Sequence, residues 1–289
     1  MPTPSSTLTP TVSTADGRRI VKRTRAVAVS AGVAASVDWS FVNSNGDPLD
    51  LTALSADGSV KFKVFDAVSV GVISPTTWDG SFASAVDGTV TLPLDASLVN
   101  KPCVKTVDVA VLDVDGVVRV HNRFYLFVDR SAWADTMDDL GTPSLQDIRL
   151  HLRDSGPEDN WWLDNEEFDL AEVCQAIEKC VRLWNESLPP IDQKFTTTTW
   201  PWRARMVVGV TGYLYQMAAR HYQRVHLPYS AAGLQVDDKN KAREYQALGD
   251  ALWQDFSQFV LGQKVMINAA SAAGMSESGY GYVQDWAGW

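Results

Sequence analysis

The apolar residues of this chain change their period once, and that change restricts what it can fold into. Up to about Arg130 they alternate with polar ones, as in Val60-Lys61-Phe62-Lys63-Val64 and in Val107, Val109 and Val111. Neighbouring side chains of a strand point to opposite faces, so this alternation predicts strands with one wet face. After Pro143 the spacing becomes i, i+3, i+4, i+7, most clearly in Leu170, Val173, Cys174, Ile177, Cys180, Val181 and Trp184. That spacing lines one face of a helix. A β segment followed by an all-helical one predicts an α+β chain in two domains.

The first segment carries turn signals at short intervals: Asn45-Gly46-Asp47-Pro48, Ala56-Asp57-Gly58, Val86-Asp87-Gly88 and Asp113-Val114-Asp115-Gly116. About seven short strands in roughly 110 residues suit an immunoglobulin-like β-sandwich over residues 18–130. The paired cysteines of antibody domains are absent, and Trp39 is the candidate core tryptophan. Residues 1–17, rich in Pro, Ser and Thr, read as a flexible arm. The basic residues Arg18, Arg19, Lys22, Arg23 and Arg25 then lead into the first strand, as a solvated face or a contact to an acidic partner. Residues 131–142, polar and aspartate-rich, read as the linker.

The second segment, residues 143–268, reads as a helical bundle. Ser144 with Asp147 predicts a capped short helix ending near Leu152. The stripe from Leu170 to Trp184 predicts a second helix, stopped by Pro189-Pro190. Met206, Val210, Tyr213, Leu214, Met217 and Tyr222 predict a third, in which Gly209 and Gly212 permit close helix contact. Tyr245, Leu248, Leu252, Phe256, Phe259 and Met266 predict a fourth, capped by Asp237 or Asp238. Residues 269–289 form a C-terminal extension of small and aromatic residues that cannot make a core alone.

Charge and residue types narrow the chemistry. The net charge is -10, and the first 130 residues contain no glutamate, so the acidity sits in the second half. An acidic surface repels phosphate, which argues against a nucleic-acid groove but not against a wall past which DNA slides. Cys103, Cys174 and Cys180 make no disulfide framework and read as small buried groups. The four histidines (121, 151, 221, 226) lack metal-ligand spacing, so neither a metal nor a cofactor is expected. Asp113-Val114-Asp115-Gly116 lacks the later Glu of a calcium loop. Glu166 and Glu167 beside Trp161 and Trp162 allow the thought of a carbohydrate-acting enzyme. No nucleophile, phosphate-binding or dinucleotide motif is found, and the reading is that the chain is not an enzyme. The N-terminal residues have no apolar core like that of a signal peptide, and no run reaches the ~18 apolar residues of a membrane span.

Several passages together resemble the head–tail adaptor (neck or connector) proteins of tailed bacteriophages. They are Ser144-Leu145-Gln146-Asp147-Ile148-Arg149, Leu152-Arg153-Asp154, the helix Glu172–Trp184, Leu227-Pro228-Tyr229-Ser230-Ala231-Ala232-Gly233-Leu234, and Asp237-Asp238-Lys239. The resemblance covers the helical half, an order of elements more than a fixed motif. It implies a virion protein, made in the host cytoplasm, that sits at the head–tail junction. It implies a homo-oligomeric ring of about twelve copies that binds the portal protein and a downstream neck or tail protein, around a channel through which DNA passes without specific binding. The minimal adaptor has no β-sandwich, so here the sandwich is expected to decorate the outside or anchor fibres. A baseplate or fibre-anchoring protein is the alternative.

On this reading the interface residues are apolar and aromatic groups outside the helix stripes. They are Tyr229, Leu234 and Val236 in the connection between the third and fourth helices, and Tyr280, Tyr282, Trp286 and Trp289 in the C-terminal extension. Trp200, Trp202, Arg203 and Arg205 are further candidates, with bundle packing and a solvated helix start as the other reading.

Overall fold

A computed structural model describes residues 12–15, 18–21, 26–42, 47–68, 76–132, 139–154, 166–224, 229–231, 234–236 and 239–272. The chain divides into two compact units, Met1–Asp138 and Asp139–Trp289. The first is built on a sheet and the second on helices, an α+β layout in two parts.

In the first unit, β1 (Val12–Ala15) pairs antiparallel with β2 (Arg18–Val21). This hairpin begins inside the stretch expected to be a flexible arm. Then follow β3 (Ala26–Ser30), β4 (Ala35–Ser40), the one-turn helix α1 (Thr52–Ser55), β5 (Ser59–Asp66), β6 (Thr77–Ser84), β7 (Thr89–Leu94), β8 (Cys103–Leu112) and β9 (Val118–Asp129). β3 to β9 form one seven-stranded mixed sheet in the order β3-β9-β8-β5-β6-β7-β4. β3 runs parallel to β9, with Ala26 opposite Tyr125, and every other described pairing in that sheet is antiparallel.

The sheet curls over on itself. β9 and β4 stand five places apart in strand order, which in a flat sheet is about 24 Å at ~4.8 Å per strand. The rings of Trp39 on β4 and Phe124 on β9 nevertheless stack, with centroids 4.1 Å apart and planes 11° apart. Inside the curl lie Val27, Val37, Trp39, Val60, Phe62, Val90, Leu92, Val107, Val109, Val111, Leu126 and Val128, all buried. These are the alternate residues of each strand, so the period-2 pattern and the core agree. The glycines of the two tight turns, Gly88 and Gly116, have φ of 64° and 74°, which residues with a Cβ rarely adopt.

In the second unit, α2 (Leu145–Leu152), α3 (Leu170–Glu186), α4 (Arg203–Arg224) and α5 (Lys239–Ala272) form the body. The hairpin of β10 (Tyr229–Ala231) and β11 (Leu234–Val236) joins α4 to α5. α2 starts where Ser144 accepts the Asp147 N–H. α3 carries a complete capping box, with the Asp169 side chain on the first turn and Glu172 reaching back to the Asp169 N–H. Of its stripe, Val173, Cys174, Ile177, Cys180, Val181 and Trp184 are buried, and Leu170 at the start is half-buried. α4 and α5 make the most extensive contact of the unit. They run antiparallel, since the start of α4 meets the middle of α5, where Arg205 pairs with Asp255, and the end of α4 meets the start of α5, where Lys241 binds Tyr222. Cys103, Cys174 and Cys180 are buried, and none is in a disulfide.

Two expectations for the fourth helix fail. Leu248 and Met266 are exposed, and the core positions near the end of α5 are Val260 and Lys264. The helix also continues past the expected end at Asn268, to Ala272.

Candidate interaction site

The densest polar constellation of the second unit ties the segment before α3 to the ends of α4 and α5. Glu167 accepts hydrogen bonds from two phenols. Tyr222 OH donates to Oε1 at 2.9 Å, and Tyr245 OH lies 3.1 and 3.0 Å from Oε1 and Oε2. Lys241 Nζ donates to Tyr222 OH at 2.8 Å and sits 4.2 Å from the centre of that ring. The rings of Tyr222 and Tyr245 stack at 5.5 Å, and Tyr215 lies 5.4 Å from Tyr245. Tyr222 comes from the last turn of α4 and Lys241 from the first turn of α5, so this cluster ties the two helix ends that the β10–β11 hairpin connects in sequence. Burial first, and the Glu167 carboxylate second, push Tyr245 far above the usual phenol range. Burial likewise raises Tyr215 and Tyr222, with Lys241 opposing in the case of Tyr222.

A second cluster lies beside it. Arg149, 5% exposed, donates from Nη1 to Asp154 Oδ2 at 2.6 Å and to the Phe168 carbonyl at 2.7 Å, and from Nη2 to Glu166 Oε2 at 2.6 Å. Asp154, 2% exposed, also accepts the backbone N–H groups of Glu167 and Phe168. The turn into this site is made by Arg153 at φ 58°. Glu166 and Glu167, the acids considered for sugar chemistry, are thus bound to a guanidinium and to two phenols of their own unit.

The candidate interface residues fall into three groups. Trp200 and Trp202 are buried, at 0% and 7% exposure, and this corrects their reading as anchors for a partner. They pack with Trp184 and Phe195, the ring centroids of Trp184 lying 6.0 and 4.8 Å from theirs, and Trp200 Nε1 donates to the Trp202 carbonyl. Four large rings meeting at one end of the bundle exclude water there, which is why these tryptophans turn inward. Arg203 binds Asp139, and Arg205 pairs with Asp255 at 3.3 Å over the Phe259 ring. Tyr229, Leu234 and Val236 lie on the hairpin, Tyr229 opposite Val236 and Ala231 opposite Leu234, with their side chains outside the described residues. Tyr280, Tyr282, Trp286 and Trp289, and the candidate caps Asp237 and Asp238, lie outside the described residues altogether.

Two surfaces escaped the sequence pattern. One is the tip of the β8–β9 hairpin, where Val114, Val117 and Val118 are 74%, 50% and 53% exposed. Alternation assigns Val118 to the core, but the register shifts between Val111 and Leu112 and releases it. The other is the end of α5, where Leu261, Val265 and Met266 face out. Among the described residues no group of His, Cys, Asp and Glu could hold a metal ion, and no helix is long and apolar enough to cross a membrane. Burial pushes the thiols of Cys174 and Cys180 well above the usual range, which leaves both unreactive. No family model matches the sequence, and no curated protein matches it.

Proposed function

We propose that this chain is a structural virion protein of a tailed bacteriophage, a neck adaptor whose copies form a ring joining portal to tail around the DNA channel. What supports the reading is the build of the second unit. A short capped helix, a second helix and a long antiparallel pair follow in the order that the sequence resemblance implies, with a hairpin springing from the turn of that pair. The Glu167–Tyr222–Tyr245–Lys241 cluster ties together the ends of the two helices that the hairpin joins, which suits a contact element at that point of the chain. The ring would close by a heterologous contact, one patch of each copy on a different patch of the next. The acidic second half suits a wall that DNA passes without adhering.

The first unit would be an immunoglobulin-like sandwich outside the ring. Its curled sheet and its parallel edge strand beside the last strand support that assignment. The three exposed valines at the β8–β9 tip favour an attachment role for this unit, the feature shared with a baseplate or fibre-anchoring protein. Cross-linking in intact particles separates the two. The adaptor must link to portal protein, and a chain that links only to baseplate or fibre components overturns the adaptor reading.

A further inference from the structure

The first unit carries an end and a face of opposite charge. The end is built from turns that lock together. Register brings them to one place: Ser59 lies opposite Leu112, and Val60 opposite Gly80, from which β6 runs on to Ser84. Phe41 N–H donates to the Gly88 carbonyl and Leu51 N–H to the Ala85 carbonyl, which ties the segment after β4 to the β6–β7 turn. A Cβ on Gly58 would lie 2.5 Å from the Leu112 carbonyl oxygen, so the turn before β5 abuts the end of β8. In the β8–β9 turn the Asp113 carboxylate accepts the N–H groups of Asp115 and Val117 at 3.0 and 2.9 Å, and it also pairs with Arg119.

An end ordered by its own hydrogen bonds holds out what it exposes. Val114 is 74% exposed and Val86 66%, and Val117 and Val118 are half-exposed beside Val114. Among these turns Asp47, Asp50, Asp57, Asp87 and Asp115 are exposed, and residues 41–58, 84–89 and 112–118 contain no Lys or Arg. Exposed apolar groups amid charges of one sign mark a contact surface and set the sign of what covers it, here positive.

That sign is found on the outward side of the same sheet. Phe62, Val109 and Phe124 and their alternates point inward on β5, β8 and β9, so the residues between them point out. Two outward rows cross the three strands, first Lys61, Ala110 and His121, then Lys63, Asp108 and Arg123. A third row holds Phe65 and Tyr125, and the Arg123 guanidinium lies 5.7 Å from the centre of the Phe65 ring. Lys63, His121 and Arg123 are exposed, and Phe65, Ala110 and Tyr125 are half-buried. Lys61, Lys63 and Arg123 outnumber the carboxylates paired on this face, Asp79 on Lys61 and Asp108 on Arg123.

We propose that the valine-bearing end of one copy docks on this outward face of a second copy. The valines meet Phe65, Ala110 and Tyr125, and the aspartates meet Lys61, Lys63 and Arg123. A copy cannot make this contact with itself, because the end and the face are fixed parts of one sheet. The two patches differ, so each copy gives one and receives one, a heterologous contact that repeats from copy to copy. The proposal rests on the attachment role given above to the β8–β9 tip, and not on the adaptor reading.

Two full-length variants test it, Asp57→Lys/Asp115→Lys at the end and Lys63→Glu on the face. All three residues are exposed, so thermal midpoints should stay near that of the parent. By sedimentation the parent should self-associate, and each variant alone should do so about tenfold more weakly. An equimolar mixture of the two should associate like the parent, because the exchanged charges attract again. A parent that stays monomeric, or variants that associate as well as the parent, overturns the proposal. A mixture as weak as its components overturns it too, in favour of another basic surface such as Arg18 to Arg25. The parent alone supplies a second measure. Its association should weaken about tenfold from low salt to ~0.5 M salt, and a constant indifferent to salt sinks the contact. Cross-linking to portal protein tests the adaptor reading separately, so a chain can fail there and still pass the charge exchange.

Discussion

Gly212 on α4 and Gly249 on α5 meet backbone to backbone. A Cβ on Gly249 would lie 2.9 Å from the Gly212 carbonyl oxygen and 2.9 Å from the Gln216 nitrogen, and one on Gly212 would lie 2.8 Å from the Trp253 nitrogen. This approach sets the spacing of the longest helix pair in the molecule.

Gly249→Ala should therefore destabilise the second unit. The substitution gains up to about 1 kcal/mol of helix propensity. Backbone atoms cannot rotate aside, so the overpacking cost of about 1–3 kcal/mol should exceed that gain. Gly262→Ala on the same helix meets nothing within 4 Å and should be neutral or stabilising. Chemical denaturation followed by tryptophan emission compares the two, and a Gly249→Ala chain as stable as the parent refutes the tight contact.

Arg149→Ala removes the guanidinium that binds a carboxylate 2% exposed. Stranding a buried charge costs ~3–5 kcal/mol, and here the lower end applies because Asp154 keeps the Glu167 and Phe168 N–H groups. The expected readout is loss of the helical unit's unfolding transition at a denaturant concentration where the sheet unit remains folded. A shift of less than about 1 kcal/mol would show that water replaces the guanidinium at no cost.

Lys264→Met should stabilise the chain near neutral pH by roughly 1 kcal/mol, because the ammonium is buried against one carbonyl and the Trp184 ring. Burial lowers its pKa in the folded chain. Between that lowered value and the ordinary lysine value the unfolded chain holds more protons, so the parent gains stability as pH rises through this window. The Met variant lacks that gain, and the difference between the two chains should shrink toward alkaline pH. Thermal midpoints at two pH values measure it, and a variant less stable than the parent at neutral pH disproves the account.

Tyrosine titration tests the Glu167 cluster. The folded chain keeps Tyr215, Tyr222 and Tyr245 protonated above the ordinary phenol value of 10.0, whereas the unfolded chain releases those protons. Stability should accordingly fall as pH rises past that value. Glu167→Gln should bring phenolate absorbance of the folded protein to lower pH, though not fully to the ordinary value, since burial is the larger cause. An unchanged titration curve would mean that Glu167 does not bear on these phenols.

Much of this was legible in the residues. Alternation names the inward residues of β5 and β8 and those of β9 from Phe124 on, and the spacing from Val173 to Trp184 names the buried face of α3, because each period follows from local backbone geometry. Ser144 caps α2 through a bond to a residue three places on, which is equally local. The Glu167 cluster was not legible, since its members lie up to 78 residues apart in the chain. Nor was the parallel pairing of β3 with β9, which no turn sequence specifies.

The order of residues by itself determined most strands of the large sheet, the four main helices, and which of their faces is largely apolar. Only the tertiary structure decided how far each face is covered. The apolar stripe of α5 continues beyond the helix pair beneath it, so Met266 is left in water, while Lys264 finds the end of α3 and is buried. Trp200 and Trp202 turn inward because Trp184 and Phe195 arrive from elsewhere in the chain to meet them. Periodicity states what a face prefers, but cover depends on what other segments bring to it, and that is settled by contacts between residues distant in sequence.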